Sequence, residues 1–199
     1  MRIGIYGGTF DPPHLGHIAA LKAFISQFEF EKVFVIPVFM PPHKSLHSTV
    51  TAQDRLNMSK IAFEGLKDNV LISDIEVKRQ GKSYTADTIA YFKSEGYDDI
   101  YFLCGTDMIL TLDSWYRPDY IFENATIVYV RRESDLENTE KINLKVKDYQ
   151  ERFNAKIIPL YTNVIEVSST EIRNNVLNKE FSFLTDGVKK YIIEGGLYR

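Results

Sequence analysis

Extended and helical patterns alternate along this chain of 199 residues, and the alternation constrains its fold more than any other feature. Short runs rich in β-branched and aromatic residues are separated by segments whose apolar residues recur at helical spacing. The predicted strands are residues 2–6, 32–38, 70–73, 75–78, 100–103, 126–130, 156–160 and 164–167, and the predicted helices are residues 14–28, 54–66, 86–95, 169–177 and 187–194. Because strands that alternate with helices build parallel sheets, we expect an α/β fold with a doubly wound parallel sheet and helices on both faces.

The composition is that of an ordinary globular protein, with 44% hydrophobic and 26% charged residues, and we expect one domain over residues 1–199. The net charge of −3 gives no basic field, which argues against binding to nucleic acid or to a membrane surface. A single cysteine, Cys104, excludes an intramolecular disulfide and a cysteine-rich metal site. Since no segment resembles a signal peptide or a membrane span, we expect a cytoplasmic protein. The sequence leaves open whether the chain forms a homo-oligomer.

Residues 133–150 are rich in Glu, Asn, Lys and Asp, with few apolar positions. This pattern predicts a solvated loop and an amphipathic helix. We expect it to be the most variable part of the chain.

Residues 7–17 read GGTFDPPHLGH and directly follow the first predicted strand. Gly7 and Gly8 let the backbone approach a ligand closely, and the helix N-terminus beyond them favours an anion. His14 and His17 are three positions apart, so they project from the same face of that helix. Each part alone also fits a plain turn or a surface histidine, but the combination suits phosphate. With donors and no evident base beside them, the histidines suit stabilisation of charge better than activation of a nucleophile.

A second pattern of this kind, SSTEIR, occupies residues 168–173 after a predicted strand. Ser168 and Glu171 form a capping box, so helix capping alone explains half of the pattern. Capping does not explain three consecutive hydroxyls with Arg173 one turn into the helix, a set that can hold phosphate together with the helix N–H groups. Two phosphate sites on one parallel sheet indicate a substrate that carries a polyphosphate.

Two further polar groups follow predicted strands. Lys44 comes after two prolines that fix the backbone, and its point charge suits phosphate; the alternative is an ordinary surface lysine. Asp107, in the triplet GTD, can accept hydrogen bonds from ribose hydroxyls or an amine; the alternative is that it caps the helix that follows.

Two further motifs, each with an aromatic residue, lie later in the chain. Tyr84 and Thr85 open the helix predicted at residues 86–95, where exposed N–H groups and their own side chains can donate to a carboxylate or an amide. Capping by Ser83 or Thr85 is the plainer interpretation. Trp115, the only tryptophan, has polar neighbours, so its ring can stack on a ligand near solvent, with cation–π attraction for a pyridinium. A partly buried packing role is the alternative.

Residues 7–17 and 168–173 resemble the two signatures of the HxGH nucleotidyltransferase superfamily of adenylyl- and cytidylyltransferases. The intervening motifs, together with the GGLY sequence at residues 195–198, resemble those of bacterial nicotinate-nucleotide adenylyltransferases in order and approximate spacing. The resemblance covers nearly the whole chain and is weakest over residues 133–150. It implies a single nucleotidyltransferase domain with a Rossmann-like sheet.

The resemblance implies adenylyl transfer in NAD biosynthesis, in which nicotinate mononucleotide and ATP give nicotinate adenine dinucleotide and pyrophosphate. The phosphate of the mononucleotide attacks the α-phosphorus of ATP in line, without a covalent enzyme intermediate. Positioning and charge stabilisation then carry the catalysis. Mg²⁺ is expected to arrive bound to ATP phosphate oxygens, with no protein cluster dedicated to it.

The resemblance also assigns residues to each substrate. The implied catalytic residues are His14, His17 and Arg173. The implied ATP-binding residues are Gly7, Gly8, Thr9, His14, His17, Gly105, Asp107, Arg132, Ser169, Thr170 and Arg173. The implied mononucleotide-binding residues are Thr9, Phe10, Lys44, Tyr84, Thr85 and Trp115, with Trp115 stacking on the pyridine ring.

Two other functions stay open at this point. A phosphopantetheine adenylyltransferase shares both phosphate patterns but not the pocket of Tyr84, Thr85 and Trp115. A non-catalytic nucleotide-binding module keeps the fold but tolerates loss of the histidines and of Arg173. The acid and amide forms of the mononucleotide also stay open as substrates.

Overall fold

A parallel sheet forms the centre of the molecule. The computed structural model describes residues 1–42, 50–131, 136–162, 165 and 167–198, and in the segment that begins at residue 136 the side chains are described from residue 139. The strands are β1 (Arg2–Gly8), β2 (Lys32–Pro37), β3 (Val70–Ile72), β4 (Asp99–Cys104), β5 (Thr126–Arg131) and β6 (Ile157–Tyr161). All six are parallel and lie in the order β3-β2-β1-β4-β5-β6.

Helices connect and cover these strands. In the described residues they are α1 (Leu15–Gln27), α2 (Ala52–Ala62), α3 (Ile75–Arg79), α4 (Thr85–Ser94), α5 (Thr106–Ile109), α6 (Pro118–Asn124), α7 (Leu136–Phe153), α8 (Ser169–Leu177) and α9 (Asp186–Gly195), with a 3₁₀ turn at Leu112–Ser114. None of the helices in this described part of the chain has the length and apolarity required to cross a bilayer.

The buried apolar residues form two clusters, one on each face of the sheet. One face is covered by α1, α2, α8 and α9, and the other by α4, α5, α6 and α7. Successive residues of β4, Phe102 and Leu103, point into opposite clusters, as the period of two in a strand requires. This arrangement confirms the Rossmann-like, doubly wound α/β fold expected from the sequence.

Local chemistry fixes the ends of helices that matter for the site. At the start of α2, the Thr51 hydroxyl accepts from the Asp54 N–H at 3.1 Å and the Asp54 carboxylate accepts from the Thr51 N–H at 2.9 Å. At the end of α9, Gly196 adopts a left-handed conformation with φ 60°, which glycine tolerates without a Cβ clash. The chain therefore turns sharply after α9, back toward the sheet.

One predicted strand is wrong. Residues 75–78 form the helix α3, not an extended segment. The alternation of Ile75 and Val77 with charged residues suggested a strand, but Lys78 donates its N–H to the Asp74 carbonyl at 2.8 Å and pairs with the Asp74 carboxylate at 3.1 Å. Those bonds span four positions, which is the spacing of a helix.

Other boundaries differ in smaller ways. Ile165 and Val167, two of the residues predicted as a strand at 164–167, lie outside the strands, and residues 164 and 166 lie outside the described residues. The helix α6 was not predicted, and α5 was considered only as the helix that Asp107 would cap. Part of the segment 133–150 is the long helix α7, consistent with the amphipathic helix expected there.

The strand order reverses at β1. The strand β1 pairs with β2 on one side and with β4 on the other, and the chain leaves β1 and β4 toward opposite faces. In open parallel sheets such a reversal leaves a crevice beyond the carboxyl ends of the two strands, where ligands bind. Gly8 is the last residue of β1 and Cys104 is the last residue of β4, so the two residues lie at the bottom of this crevice.

Candidate active site

Two cavities open at the carboxyl edge of the sheet and meet over the ends of β1 and β4. The histidine cavity, of about 330 Å³, is lined by His14, His17 and the start of α8. The tryptophan cavity, of about 310 Å³, is lined by Trp115 and the start of α4. The residues shared by both cavities are Gly7, Gly8, Thr9, Gly105, Asp107 and Met108.

The two histidines of the first cavity lie against each other at the start of α1. Their ring centroids are 3.7 Å apart, with an interplanar angle of 33°. The Nδ1 atom of His17 accepts a hydrogen bond from the main-chain N–H of His14 at 3.2 Å. An Nδ1 that accepts belongs to a neutral ring with its proton on Nε2, so His17 offers an N–H donor.

The ring of Phe10 fixes the orientation of His17. The two rings pack edge to face with centroids 5.1 Å apart, and Phe10 packs in the same way against Tyr6 and Phe63. A Cβ on Gly8 would approach the Phe10 ring to 2.8 Å. Glycine at this position therefore leaves room for the aromatic side chain that supports the histidine.

The start of α8 is tied to the loop after β1. The Ser168 hydroxyl accepts from the Glu171 N–H at 3.1 Å, so the capping role considered for this motif is present. The hydroxyl of Ser169 instead ties α8 to the loop after β1, because it donates to the main-chain oxygen of Pro12 at 3.1 Å. The two motifs predicted to bind phosphate thus lie in one cavity, although they are far apart in sequence.

Arg173 joins the same loop through main-chain and hydroxyl oxygens. Its Nη1 donates to the carbonyl of Asp11 at 2.8 Å, and its Nη2 donates to the Thr170 hydroxyl at 3.1 Å. Its Nε is buried and has no hydrogen-bond partner among the described residues. A guanidinium that lines a cavity with an unsatisfied buried N–H is suited to an anionic ligand.

Sequence reasoning missed Arg55, which is fully buried. Its Nη1 donates to the Thr9 carbonyl at 3.0 Å and its Nη2 to the Phe39 carbonyl at 2.8 Å, so it joins the loops after β1 and β2. Burial lowers its pKa from the ordinary value, and the nearby Asp11 carboxylate opposes that shift. Its place on the buried stripe of α2, with Met58 and Ala62, is the signal that identifies it.

The start of α4 forms one wall of the tryptophan cavity. Tyr84 is the N-cap residue and its side chain does not cap the helix. The hydroxyl of Ser83 is engaged elsewhere, accepting from the Phe39 N–H at 2.9 Å. The capping role considered for Ser83 is therefore absent, and the first-turn N–H groups beside Thr85 remain suited to a ligand carboxylate or amide.

Aromatic rings form the opposite wall. Trp115 is partly buried, and its ring meets Phe102 edge to face at 6.4 Å between centroids. Tyr116 is exposed and packs on Tyr84 at 4.6 Å between centroids. Trp115 can therefore pack against the core and also contact a ligand, because its ring meets Phe102 while the residue lines the tryptophan cavity.

A buried carboxylate lies in the wall of the tryptophan cavity. Glu76 is 4% exposed, and its Oε1 accepts from the Thr88 hydroxyl at 2.6 Å. Its Oε2 is buried and has no hydrogen-bond partner among the described residues. Burial raises the pKa of Glu76, while the hydrogen bonds from Thr88 and Ser83 and the charge of Arg79 lower it. Sequence reasoning missed this residue because the segment around it was predicted as a strand.

Comparison with known proteins gives the family. A family model described as cytidylyltransferase-like matches residues 5–175. A protein named "probable nicotinate-nucleotide adenylyltransferase" from Caldicellulosiruptor saccharolyticus is 33% identical, with all of both chains covered. A protein of the same name from Listeria monocytogenes is 37% identical over 99% of this chain and 97% of its own. The chain belongs to the nicotinate-nucleotide adenylyltransferase family.

Solved structures agree with the fold. The nicotinic acid mononucleotide adenylyltransferase of Plasmodium falciparum, solved in complex with NaAD, superposes with a TM-score of 0.79 at 22% identity. The superposition covers 99% of this chain and 97% of that one. The shared architecture extends over the sheet and both layers of helices.

The remaining residues predicted for the site fall in three groups. Gly105 is the N-cap residue of α5 and Asp107 lies in its first turn, so Asp107 is not the cap that was considered as its alternative role. Phe10 is buried and lines the histidine cavity rather than the tryptophan cavity. Lys44 and Arg132 lie outside the described residues.

Among the described residues, no group of three or more His, Cys, Asp and Glu side chains could hold a metal ion.

Glu76 gives a testable pH dependence. Because its pKa in the folded protein lies above the ordinary value of 4.5, the folded state loses stability relative to the unfolded chain as the pH rises from 4.5 through the folded pKa. The variant Glu76→Gln keeps an acceptor for Thr88 but carries no titrating proton. We expect its free energy of unfolding, relative to the original chain, to increase over that pH range, as measured by urea unfolding. The Glu64→Gln variant makes the same change at an exposed position and serves as the control for the substitution itself.

Proposed function

We infer that the chain transfers AMP from ATP to nicotinate mononucleotide, forming nicotinate adenine dinucleotide and pyrophosphate in NAD biosynthesis. The observation that carries this inference is the junction of the two cavities over Gly7–Thr9 and Gly105. One cavity is lined by N–H donors and a guanidinium, which suit a triphosphate. The other is lined by aromatic rings and a helix N-terminus, which suit a pyridine carboxylate. Two substrates that occupy them meet at the glycine-lined border.

The reaction we propose is a single in-line displacement. An oxygen of the mononucleotide phosphate forms a bond to the α-phosphorus of ATP, and the bond from that phosphorus to the bridging oxygen of the β-phosphate breaks. Pyrophosphate leaves with that electron pair. A phosphate anion is already a competent nucleophile, so the site has to position the reactants and stabilise charge, with no proton to remove.

We assign the donors of the histidine cavity to the phosphates of ATP. His14 and His17 stabilise the charge that develops on the transferring phosphoryl group, with Gly7, Gly8 and Thr9 close to it. Ser169, Thr170 and Arg173 bind the β- and γ-phosphates, which become the leaving group. The unsatisfied Nε of Arg173 supports this assignment, because a phosphate oxygen supplies the acceptor that the buried N–H lacks.

We assign the tryptophan cavity to the mononucleotide. Trp115 stacks on the pyridinium ring, and the N–H groups at the start of α4, with Tyr84 and Thr85, donate to the carboxylate. The assignments of Thr9, Phe10 and Lys44 to the mononucleotide remain proposals on the motif resemblance, as do those of Arg132, Gly105 and Asp107 to ATP.

Nucleotidyltransferases generally use a divalent metal ion, and we propose that here it is Mg²⁺ carried by ATP. Such an ion, held by the nucleotide, would supply charge neutralisation for the triphosphate and for the leaving pyrophosphate. In the histidine cavity, Oδ1 of Asp11 accepts from Tyr198 at 2.6 Å and Oδ2 lies 3.8 Å from Arg173, so both oxygens of this carboxylate have partners and the nucleotide is the better holder of the ion. We further propose a cytoplasmic location, in keeping with the single thiol of Cys104.

The reaction is tested by pyrophosphate release from ATP and Mg²⁺ with one of three acceptors. We expect rapid release with nicotinate mononucleotide and much slower release with nicotinamide mononucleotide or phosphopantetheine. Equal rates with the acid and the amide would remove the assigned carboxylate contact but keep the reaction. Release with phosphopantetheine alone, or no release with any acceptor, would contradict the inferred function.

The histidine assignment is tested by His17→Ala. This change removes a preorganised donor, so we expect kcat to fall by at least about a hundredfold while the protein still folds. The matched variant His17→Asn keeps an N–H donor on the same face of α1 and should lose less. Thermal unfolding of both variants controls for folding. Near-normal turnover in folded His17→Ala would rule out the charge-stabilising role.

The stacking assignment is tested by Trp115→Ala. Loss of ring stacking and cation–π attraction should raise the KM for nicotinate mononucleotide by about tenfold, with the KM for ATP nearly unchanged. The variant Trp115→Phe keeps an aromatic face and should retain most of the affinity. If both KM values rise equally in Trp115→Ala, the ring does not serve the pyridine site.

A further inference from the structure

A buried tyrosine from the far end of the chain contacts the loop after β1. Tyr198 follows α9 and is 4% exposed. Its hydroxyl donates to Oδ1 of Asp11 at 2.6 Å, and Asp11 is itself 4% exposed and lines the histidine cavity. None of the catalytic roles assigned above uses either residue. The turn at Gly196 and the bond from the Leu197 N–H to the Ile192 carbonyl direct the chain to this position.

The Asp11 carboxylate faces positive groups from two helices. Arg173 approaches from α8, with its Nη1 at 3.8 Å from Oδ2 of Asp11, and the buried Arg55 on α2 interacts with the same carboxylate electrostatically. The tyrosine hydroxyl supplies the remaining contact on Oδ1. A carboxylate inside a cavity for polyphosphate is unfavourable for the ligand unless its charge is directed elsewhere.

Arg173 makes its hydrogen bond to the main chain of Asp11 while the Asp11 carboxylate is bonded to Tyr198. A separation of 3.8 Å is an ion pair without a hydrogen bond, so the hydrogen bond of the guanidinium Nη1 goes to the neutral Asp11 carbonyl at 2.8 Å and not to the carboxylate. A modest rotation of that carboxylate would convert the contact into a short charge-assisted pair. ATP would then have to break this pair before its phosphates could use the same donors.

We propose that Tyr198 is a positioning residue for adenylyl transfer, which holds the Asp11 carboxylate out of hydrogen-bonding range of Arg173 and keeps the guanidinium available to the phosphates of ATP. The proposal rests on the role assigned above to Arg173. Burial and the Asp11 charge raise the pKa of Tyr198 well above its ordinary value, so the phenol stays protonated and remains a donor. Tyr198 acts on ATP through Asp11 and Arg173, without touching the nucleotide.

The first test compares two tyrosines that each donate to an aspartate. Tyr198→Phe removes the hydroxyl that holds Asp11. Tyr191→Phe removes a hydroxyl that donates to Asp54 at 3.0 Å, outside both cavities. We expect Tyr198→Phe to raise the KM for ATP by about tenfold, the worth of one charge-assisted hydrogen bond, and to leave the KM for nicotinate mononucleotide unchanged. Tyr191→Phe should change neither KM. If the two variants have the same KM for ATP, the proposal is wrong.

The second test asks whether the effect passes through the carboxylate. In the double variant Asp11→Asn with Tyr198→Phe, the side chain at position 11 is neutral and cannot form an ion pair with Arg173. We expect it to recover most of the ATP affinity lost in Tyr198→Phe. A double variant as impaired as Tyr198→Phe, with thermal unfolding that shows it folded, would overturn the proposed competition.

The third test separates this proposal from the role of Arg173 itself. We expect Arg173→Ala to raise the KM for ATP, and Tyr198→Phe to add little on top of it, because both changes act on the same contact. If Arg173→Ala leaves the KM for ATP unchanged, the assignment of Arg173 fails. If Arg173→Ala raises the KM for ATP and Tyr198→Phe raises it further by the same factor as in the original chain, the assignment of Arg173 stands and the proposal for Tyr198 fails.

Discussion

The reversal of strand order at β1 is the constraint on which the rest of the site depends. Because β1 pairs with β2 on one side and β4 on the other, the loops that follow β1 and β4 leave toward opposite faces and open a crevice between them. The crevice receives the N-terminal ends of α1, α4, α5 and α8. Backbone N–H groups thus converge there as a consequence of the topology, before any side chain is considered.

Among the described residues, each cavity contains a buried carboxylate that is held by a neutral hydroxyl. Tyr198 donates to Asp11 in the histidine cavity, and Thr88 donates to Glu76 in the tryptophan cavity. A hydroxyl satisfies an acceptor without adding a charge, so Arg173 and Arg79 stay at 3.8 and 3.9 Å from these carboxylates, beyond hydrogen-bonding distance. Arg173 makes its hydrogen bonds to the Asp11 carbonyl and the Thr170 hydroxyl instead. The site therefore retains cationic groups for an anionic substrate while one oxygen of each acid is held by a hydroxyl.

The sequence predicted the parts of the site whose residues lie close together in the chain. The turn from β1 into α1 and the serine-rich start of α8 each lie within a few residues, so local patterns identified them. Tyr198 could not be found in this way, because the contact that explains it spans 187 positions. The helical stripe of α2 indicates that Arg55 is buried, but the contact that explains its role spans 46 positions. Glu76 was missed for a different reason: a helix of five residues is too short to show a period, and its alternating apolar residues matched a strand. The sheet was predictable because burial on both faces enforces continuous apolar runs.

The shared border of the two cavities has a consequence for the end of the reaction. In the proposed reaction the reactants enter as two molecules and each loses its own translational freedom on binding, whereas a dinucleotide that spans both cavities loses that freedom only once. Gly7, Gly8 and Gly105 line both cavities, so on the proposed assignment the joined product lies along the same wall at which the reacting atoms meet. A site built this way holds its product with the contacts of both substrates, so its turnover depends on how readily those contacts are released as well as on how well they are formed.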